Sequence, residues 1–137
     1  MKGYINPYIL KLIEDALTDE ISDYMLYTAL AEKCPDMGEM FKSIATDEMK
    51  HKKMLTELYT DLNGKAPREI KAAPTADMSK ACEELIKEQI SKELDGASMY
   101  RTLYFAIPSA ADRNILFEIM TDEMMHATTL AGMNKSS

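Results

Sequence analysis

Apolar side chains recur at alternating spacings of three and four residues along four long segments of the chain. This spacing places the apolar positions on one face of a helix, whereas the alternation typical of strands is almost absent. Proline and glycine separate the segments, because the residue before a proline leaves the helical conformation and a glycine readily caps a helix end. The pattern predicts four helices, which span residues 6–33, 36–61, 78–106 and 110–133.

The lengths of the connections predict how these helices are arranged. Short turns join the first two helices and the last two, so each pair is expected to form an antiparallel hairpin. Residues 63–77 join the two pairs, and an extended segment of this length reaches about 50 Å, which is longer than one helix. We therefore predict one domain, residues 1–137, folded as an all-α four-helix bundle with one long crossover. A short linker helix folded to one side is the alternative for this connection.

Each apolar seam contains one glutamate near its middle. In the first helix, for example, Leu17 and Tyr24 flank such a glutamate at spacings of three and four residues. Counting from the turns puts the two glutamates of a hairpin at equal heights, 14 residues either side of Cys34 and 15 either side of Pro108. The glutamates are therefore expected to converge in the middle of the bundle. They are Glu20, Glu48, Glu93 and Glu123.

Both histidines of the chain lie in nearly identical hexapeptides, TDEMKH at residues 46–51 and TDEMMH at residues 121–126. In each, a glutamate precedes the histidine by three residues, which places both side chains on one helix face, one turn apart. A tyrosine also follows the seam glutamate of the first and third helices by seven residues. The two halves of the chain are therefore an internal duplication, with an expected pseudo-twofold relationship.

Four carboxylates buried together cannot all remain ionised unless something compensates their charge, so such groups bind cations, form ion pairs or take up protons. No lysine or arginine occupies the seams to pair with them. Two Glu-x-x-His units and one glutamate from each of the other helices form the ligand set of a dinuclear carboxylate site. Carboxylate and imidazole ligands suit iron, manganese or zinc. We predict two metal ions per chain, most favourably iron, bound by Glu20, Glu48, His51, Glu93, Glu123 and His126.

Further polar side chains are expected around these ligands. Tyr27 and Tyr100 are predicted to donate their hydroxyls to ligand carboxylates, with a purely hydrophobic core role as the alternative. Asp47 and Asp122 each precede a ligand glutamate. They are expected either to accept the remaining imidazole N–H from the histidine of the other motif or to face solvent. The metal pair itself is the predicted reaction centre, without a nucleophilic side chain.

Composition narrows the class of protein. The chain has 137 residues, a net charge of −7 and 46% hydrophobic residues, which favours a globular domain and disfavours nucleic acid as a partner. No uncharged run approaches the ~18 residues that cross a bilayer, and the start lacks the apolar region of a signal peptide, so we expect a cytoplasmic protein.

Cys34 and Cys82 form no C-x-x-C pair. We interpret them as reduced fillers, with a disulfide between them as the alternative.

These motifs resemble those of the rubrerythrin and ferritin-like di-iron carboxylate family, and the likeness covers nearly the whole chain. The resemblance implies a ferritin-like bundle and the six ligands named above, with Glu48 and Glu123 as bridging carboxylates. It also implies reduction of hydrogen peroxide or dioxygen at a diferrous centre, an activity suited to protection against oxidative stress.

The chain departs from the rubrerythrin pattern at three points. Rubrerythrins usually carry a second glutamate three residues after the first ligand of the third helix, where this chain has Gly96. No rubredoxin domain is present, so turnover requires an external donor such as a rubredoxin-like protein. Only four residues follow Met133, which favours a homodimer over a cage. Two functions therefore stay open: a di-iron oxidoreductase, and an iron-binding, ferroxidase or metal-buffering protein without dedicated peroxidase turnover.

Overall fold

The computed structural model describes residues 5–134, which contain four long helices: α1, Pro7–Lys33; α2, Gly38–Asn63; α3, Cys82–Ala106; and α4, Ala110–Met133. This part of the chain has no strand, so the prediction of an all-α protein is confirmed. None of its helices combines the length and the apolar character needed to cross a membrane. The chain divides into two compact units, Met1–Thr75 and Ala76–Ser137, and each contains one pair of helices. We call them the first and the second hairpin.

Local signals define the first hairpin. Asn6 caps α1, because its Oδ1 accepts a hydrogen bond from the backbone N–H of Tyr8 at 2.8 Å. Pro7 then begins the helix, where its missing N–H is not needed. The helix ends at Lys33, and its C-cap is Cys34, the residue before the next proline. One turn of 3-10 helix, Pro35–Met37, leads into α2.

Side chains also link the two helices of the first hairpin. The hydroxyl of Tyr59 in α2 donates a hydrogen bond to Oε1 of Glu14 in α1 at 3.0 Å. Burial first, and then this hydrogen bond, raise the pKa of Tyr59, so the hydroxyl keeps its proton. Arg68, in the segment after α2, lies 3.6 Å from Oε2 of Glu14. Glu14 therefore connects the start of α1 both to the end of α2 and to the chain that follows it.

In the second hairpin, α3 begins at Cys82, four residues later than predicted. The side chain of Asp77 accepts hydrogen bonds from the backbone N–H and the hydroxyl of Ser79, at 3.0 and 2.7 Å. Its carbonyl accepts a further bond from the N–H of Lys80 at 3.2 Å. These bonds form a turn that competes with a helical start. Ala81 follows in an extended conformation, with ψ 151°, and caps α3. No helix occurs between Gly64 and Ala81, so the alternative of a linker helix is wrong.

The buried face departs from the predicted seam at two places. Tyr24 is 36% exposed, whereas Leu26 and Leu30 are buried. In α3, Gln89 is buried and its neighbour Ile90 is only half-buried. The next seam positions, Tyr27 in α1 and Glu93 in α3, are buried again, so both departures are local.

The cysteines differ from the expectation of two reduced fillers. Cys34 is buried at the end of α1, and Cys82 is half-buried at the start of α3. Neither cysteine is a free thiol in the described part of the chain. The interpretation of both as reduced fillers is therefore wrong.

Two glycines provide a test of how helix ends are fixed. Gly64 follows α2 with φ 79°, a left-handed conformation, whereas Gly132 lies within α4, and neither has an atom within 4 Å of the position of an added Cβ. We expect Gly64→Ala to lower the free energy of unfolding by about 1–2 kcal/mol, because a Cβ is strained in that conformation. Gly132→Ala is the matched control and is expected to raise it by about 0.5 kcal/mol. Urea titration followed by circular dichroism measures both changes, and equal changes would contradict a left-handed cap.

Candidate metal centre

The first hairpin brings Glu20 of α1 together with Glu48 and His51 of α2. The exposed fraction is 2% for Glu20 and 0% for the other two side chains. One ligand atom of each residue lies within 4.8 Å of those of the others. Nδ1 of His51 is 3.1 Å from Oε1 of Glu20 and 3.8 Å from Oε1 of Glu48. We call these three residues the first triad.

The second hairpin repeats this arrangement with Glu93 of α3 and with Glu123 and His126 of α4. Their exposed fractions are 1%, 3% and 5%. Nδ1 of His126 is 3.5 Å from Oε2 of Glu93 and 3.8 Å from Oε2 of Glu123. We call them the second triad. The structure thus places all six predicted ligands in buried positions, three in each hairpin.

Helix geometry explains why the residues of each triad meet. Within α2 and α4, the glutamate and the histidine are three residues apart and therefore share one helix face. The short turn of each hairpin then reverses the chain and brings the glutamate of the preceding helix to the same height. The equal counts of residues on either side of each turn, read from the sequence, are thus matched by short interatomic distances.

The spacing of the ligand atoms fits a shared metal ion. Two ligands bound at about 2.1 Å have their atoms about 3.0 Å apart at a right angle and about 4.2 Å apart when opposite. The Nδ1–Oε distances within the two triads lie between 3.1 and 3.8 Å. Oxygen and nitrogen ligands without a thiolate suit iron, manganese or zinc. Each triad therefore has the composition and the size of a site for one ion.

Burial controls the charge of the second triad. Removal from water raises the pKa of Glu93 to about 8, and a hydrogen bond with Glu123 and the charge of Glu123 act in the same direction. His126 acts in the opposite direction. Without a cation, Glu93 therefore keeps a proton near neutral pH. Because a metal ligand must be deprotonated, a bound ion has to replace this proton.

The predicted neighbours of the ligands lie at buried or half-buried positions. Tyr27 is fully buried and stacks on Phe41, with ring centroids 6.1 Å apart, and Tyr100 is 2% exposed. Asp47 and Asp122 are half-buried. Hydroxyl donation by the tyrosines, and acceptance of an imidazole N–H by the aspartates, stay predictions.

Two further residues of α3, Gln89 and Gly96, lie within about one helical turn of Glu93. Gln89 is 1% exposed and lies one turn before Glu93, at the spacing that marks the inner face. Its counterpart in the first half is Ala16, so the duplication gave no signal for it. A Cβ added to Gly96 would lie 3.9 Å from Cδ of Glu123, an ordinary van der Waals distance. Position 96 therefore borders a predicted ligand carboxylate.

Comparison with known proteins agrees with this geometry. The family model described as rubrerythrin matches residues 11–134, which is nearly the whole chain. No curated protein matches the sequence. The match confirms the ferritin-like fold class, to which four helices without strands conform. Together with the buried carboxylate and imidazole clusters, it suggests a two-metal site. The chain belongs to the rubrerythrin family.

Proposed function

We propose that this protein is a non-haem di-iron oxidoreductase that reduces hydrogen peroxide or dioxygen. In this proposal the two triads together hold two iron ions, with manganese or zinc as the alternative metals. The observation that carries it is the presence of two buried triads of identical composition, each of the size of a site for one ion. The matched heights of the four glutamates in the sequence, and membership of the rubrerythrin family, support one shared centre.

The side chains of the triads have distinct tasks in this proposal. Glu20 and Glu93 would each hold one ion, and Glu48 and Glu123 would be shared by both ions, as the resemblance to rubrerythrins implies. The two histidines complete the ligand set through Nδ1, the ring nitrogen that lies nearest the carboxylates. Almost complete burial of all six side chains keeps bulk water away and strengthens their hold on a cation.

Reduction of one molecule of hydrogen peroxide to two molecules of water consumes two electrons and two protons. A bound pair of ferrous ions supplies the two electrons. These 137 residues contain no C-x-x-C pair for a rubredoxin-type centre. The proposal therefore includes a one-electron donor outside this domain, and a rubredoxin-like protein has the required chemistry.

A second function is supported by Gly96. This residue borders the carboxylate of Glu123 and adds no ligand there, whereas rubrerythrins usually have a glutamate at this position. A site with fewer carboxylates can still bind and oxidise ferrous iron. The alternative is therefore a ferroxidase or metal-buffering protein that retains its iron and does not turn over with peroxide.

Removing one bridging carboxylate tests the ligand assignment. We expect Glu48→Ala to lower the metal content from two ions to fewer than one per chain, because the variant loses a ligand of both ions. Glu57→Ala is the control, since Glu57 lies on the same helix and is exposed. Elemental analysis after anaerobic loading with ferrous iron and gel filtration measures the content. Two tightly bound ions in Glu48→Ala would show that the ligand set is wrong.

The raised pKa of Glu93 gives the metal-free protein a characteristic pH dependence. Folding raises this pKa from 4.5 to about 8, so the folded state binds the proton more tightly than the unfolded state. The resulting stabilisation is complete below the lower value and is lost as the pH rises through the higher one. We therefore expect the melting temperature of chelator-treated protein to fall as the pH rises from 5 to 8.

Two controls isolate this effect. Glu93→Gln has no titrating group at position 93, so its melting temperature in the metal-free state should depend less on pH. The metal-loaded protein should also lack the fall, because bound metal keeps Glu93 ionised. Scanning calorimetry provides the measurement. Identical pH profiles for the metal-free parent and Glu93→Gln would refute the assignment of the proton to Glu93.

Rapid mixing separates the two functions. The protein, loaded anaerobically with ferrous iron, is mixed in a stopped-flow spectrometer with hydrogen peroxide or with dioxygen. We expect peroxide to oxidise it at least about tenfold faster, and repeated turnover when a reduced rubredoxin is present. Glu48→Ala is the control for reaction of unbound iron. A single oxidation followed by retention of the iron, without turnover, would favour the ferroxidase or buffering function.

A further inference from the structure

Methionine and leucine occupy different places in this protein. The chain contains 12 methionines and 13 leucines, which are apolar side chains of similar size. Ten of the leucines are buried, whereas none of the methionines in the part of the chain that the structure describes is buried. Both residue types usually occupy protein interiors. The methionines of this chain therefore do not fill the core, and their number needs another explanation.

Three exposed methionines lie next to ligands of the triads. Met49 directly follows Glu48 in α2 and is 39% exposed. Met124 and Met125 lie between the glutamate and the histidine of α4, and they are 50% and 65% exposed. We call Met124 and Met125 the methionine pair. Among residues 5–134, no other methionine is as exposed as these two.

Helix geometry turns the methionine pair away from the metal ligands. Successive residues of an α-helix are about 100° apart around its axis, so the neighbours of an inward side chain point sideways or outwards. Glu123 and His126 are only 3% and 5% exposed, and the two positions between them are open to water. One short segment of α4 thus presents a carboxylate and an imidazole to the interior and two thioethers to the solvent.

The first hairpin indicates that packing does not require methionine at both positions. Met49 and Lys50, which lie 75 residues earlier, correspond to Met124 and Met125. Lys50 is exposed, as Met125 is. A lysine is therefore compatible with the same helix position, and an apolar side chain there gains nothing from the core. What methionine adds to this position is the reactivity of its sulfur.

The thioether sulfur is the atom of these side chains that reacts with peroxide. Its lone pair attacks one oxygen of hydrogen peroxide, so that an S–O bond forms and the O–O bond breaks. The departing hydroxide takes the proton of the transferred hydroxyl and becomes water. Sulfur loses two electrons and peroxide gains them, so the reaction needs no metal ion and no further oxidant. Exposure controls the rate, because peroxide must reach the sulfur.

We propose that the methionine pair is a site of reversible sulfoxidation by hydrogen peroxide, on the outer side of the α4 segment that carries Glu123 and His126. A reductase of the dithiol type restores each thioether with two electrons and two protons and releases the oxygen as water. Each cycle therefore consumes one molecule of peroxide without using the triads. This reaction goes beyond the function proposed above and does not rest on it, because it needs no bound iron.

Peptide mass spectrometry after timed exposure to hydrogen peroxide tests the site. The protein is used both free of metal and loaded with zinc, an ion without redox chemistry, so iron chemistry does not contribute. We expect the methionine pair to gain oxygen at least about threefold faster than the half-buried Met37 and Met40, because exposure controls the rate. Treatment with a dithiol and both sulfoxide reductases should then restore the thioethers, since each enzyme reduces one epimer.

Two variants with equal numbers of methionines separate position from number. Met124→Leu/Met125→Lys removes the methionine pair, and its lysine copies the first hairpin. Met37→Leu/Met40→Leu is the control, because it removes two half-buried methionines with little change in volume. Peroxide consumption is measured with the dithiol and both reductases present, and the reaction without the protein is subtracted. The initial rate should fall at least about twofold in the first variant and stay close to that of the parent in the control.

Equal consumption by the two variants would overturn the proposal, as would oxidation of the half-buried methionines as fast as the pair. A partner surface that covers the pair in solution would protect it, and slow oxidation of the pair would count against the proposal in the same way. The zinc content of the oxidised protein should equal that of the untreated protein. Loss of zinc would refute the assignment of the pair to the outer side of α4. Circular dichroism checks that both variants are folded.

Discussion

Moving an ionised carboxylate out of water without a partner costs several kcal/mol of free energy. Each hairpin of this protein buries two carboxyl groups side by side. The apolar seams of the helices place these glutamates inside, and the short turns bring them to equal heights. The structure resolves the conflict with an imidazole close to each pair and, in the second hairpin, with a proton on Glu93. The two carboxylates and the imidazole of each triad also have the composition that holds a cation, which would compensate the remaining charge.

Duplication has had opposite outcomes on the two sides of the helices. The inner faces have kept the same three residue types at the same heights in both hairpins. The exposed faces differ, because Glu32 and Lys42 of the first hairpin correspond to Phe105 and Phe117, which lie 73 and 75 residues later in the second. Ligand geometry tolerates deviations of only tenths of an ångström, whereas an exposed helix position tolerates almost any residue. The exposed faces were therefore free to diverge in shape and charge.

The sequence was sufficient for the number of helices and for the residues of each triad, because both depend on periodicity and on counting from a turn. It was insufficient for the start of α3. There the pattern continues back to Met78, but hydrogen bonds from Ser79 and Lys80 to Asp77 close a turn first. It also placed Tyr24 inside, although this side chain is 36% exposed and the seam residues before and after it, Glu20 and Tyr27, are buried. Spacing alone does not distinguish the edge of a buried face from its centre. The distances within each triad depend on how two helices pack, and the protonation of Glu93 depends on its burial. Both are set by residues from more than one helix, so no single sequence position encodes them.

Gly96 has a consequence for the charge balance of the second triad. A Cβ at this position would make only ordinary contact with Glu123, so packing does not require glycine there. Space therefore does not exclude a Cβ at position 96. With two carboxylates, Glu93 and Glu123, one divalent ion leaves the triad electrically neutral, and a third carboxylate at position 96 would leave it with a net negative charge. Neutrality is the least costly state for a group of charges excluded from water, so without a carboxylate at position 96 the second triad has the charge that one divalent ion would balance.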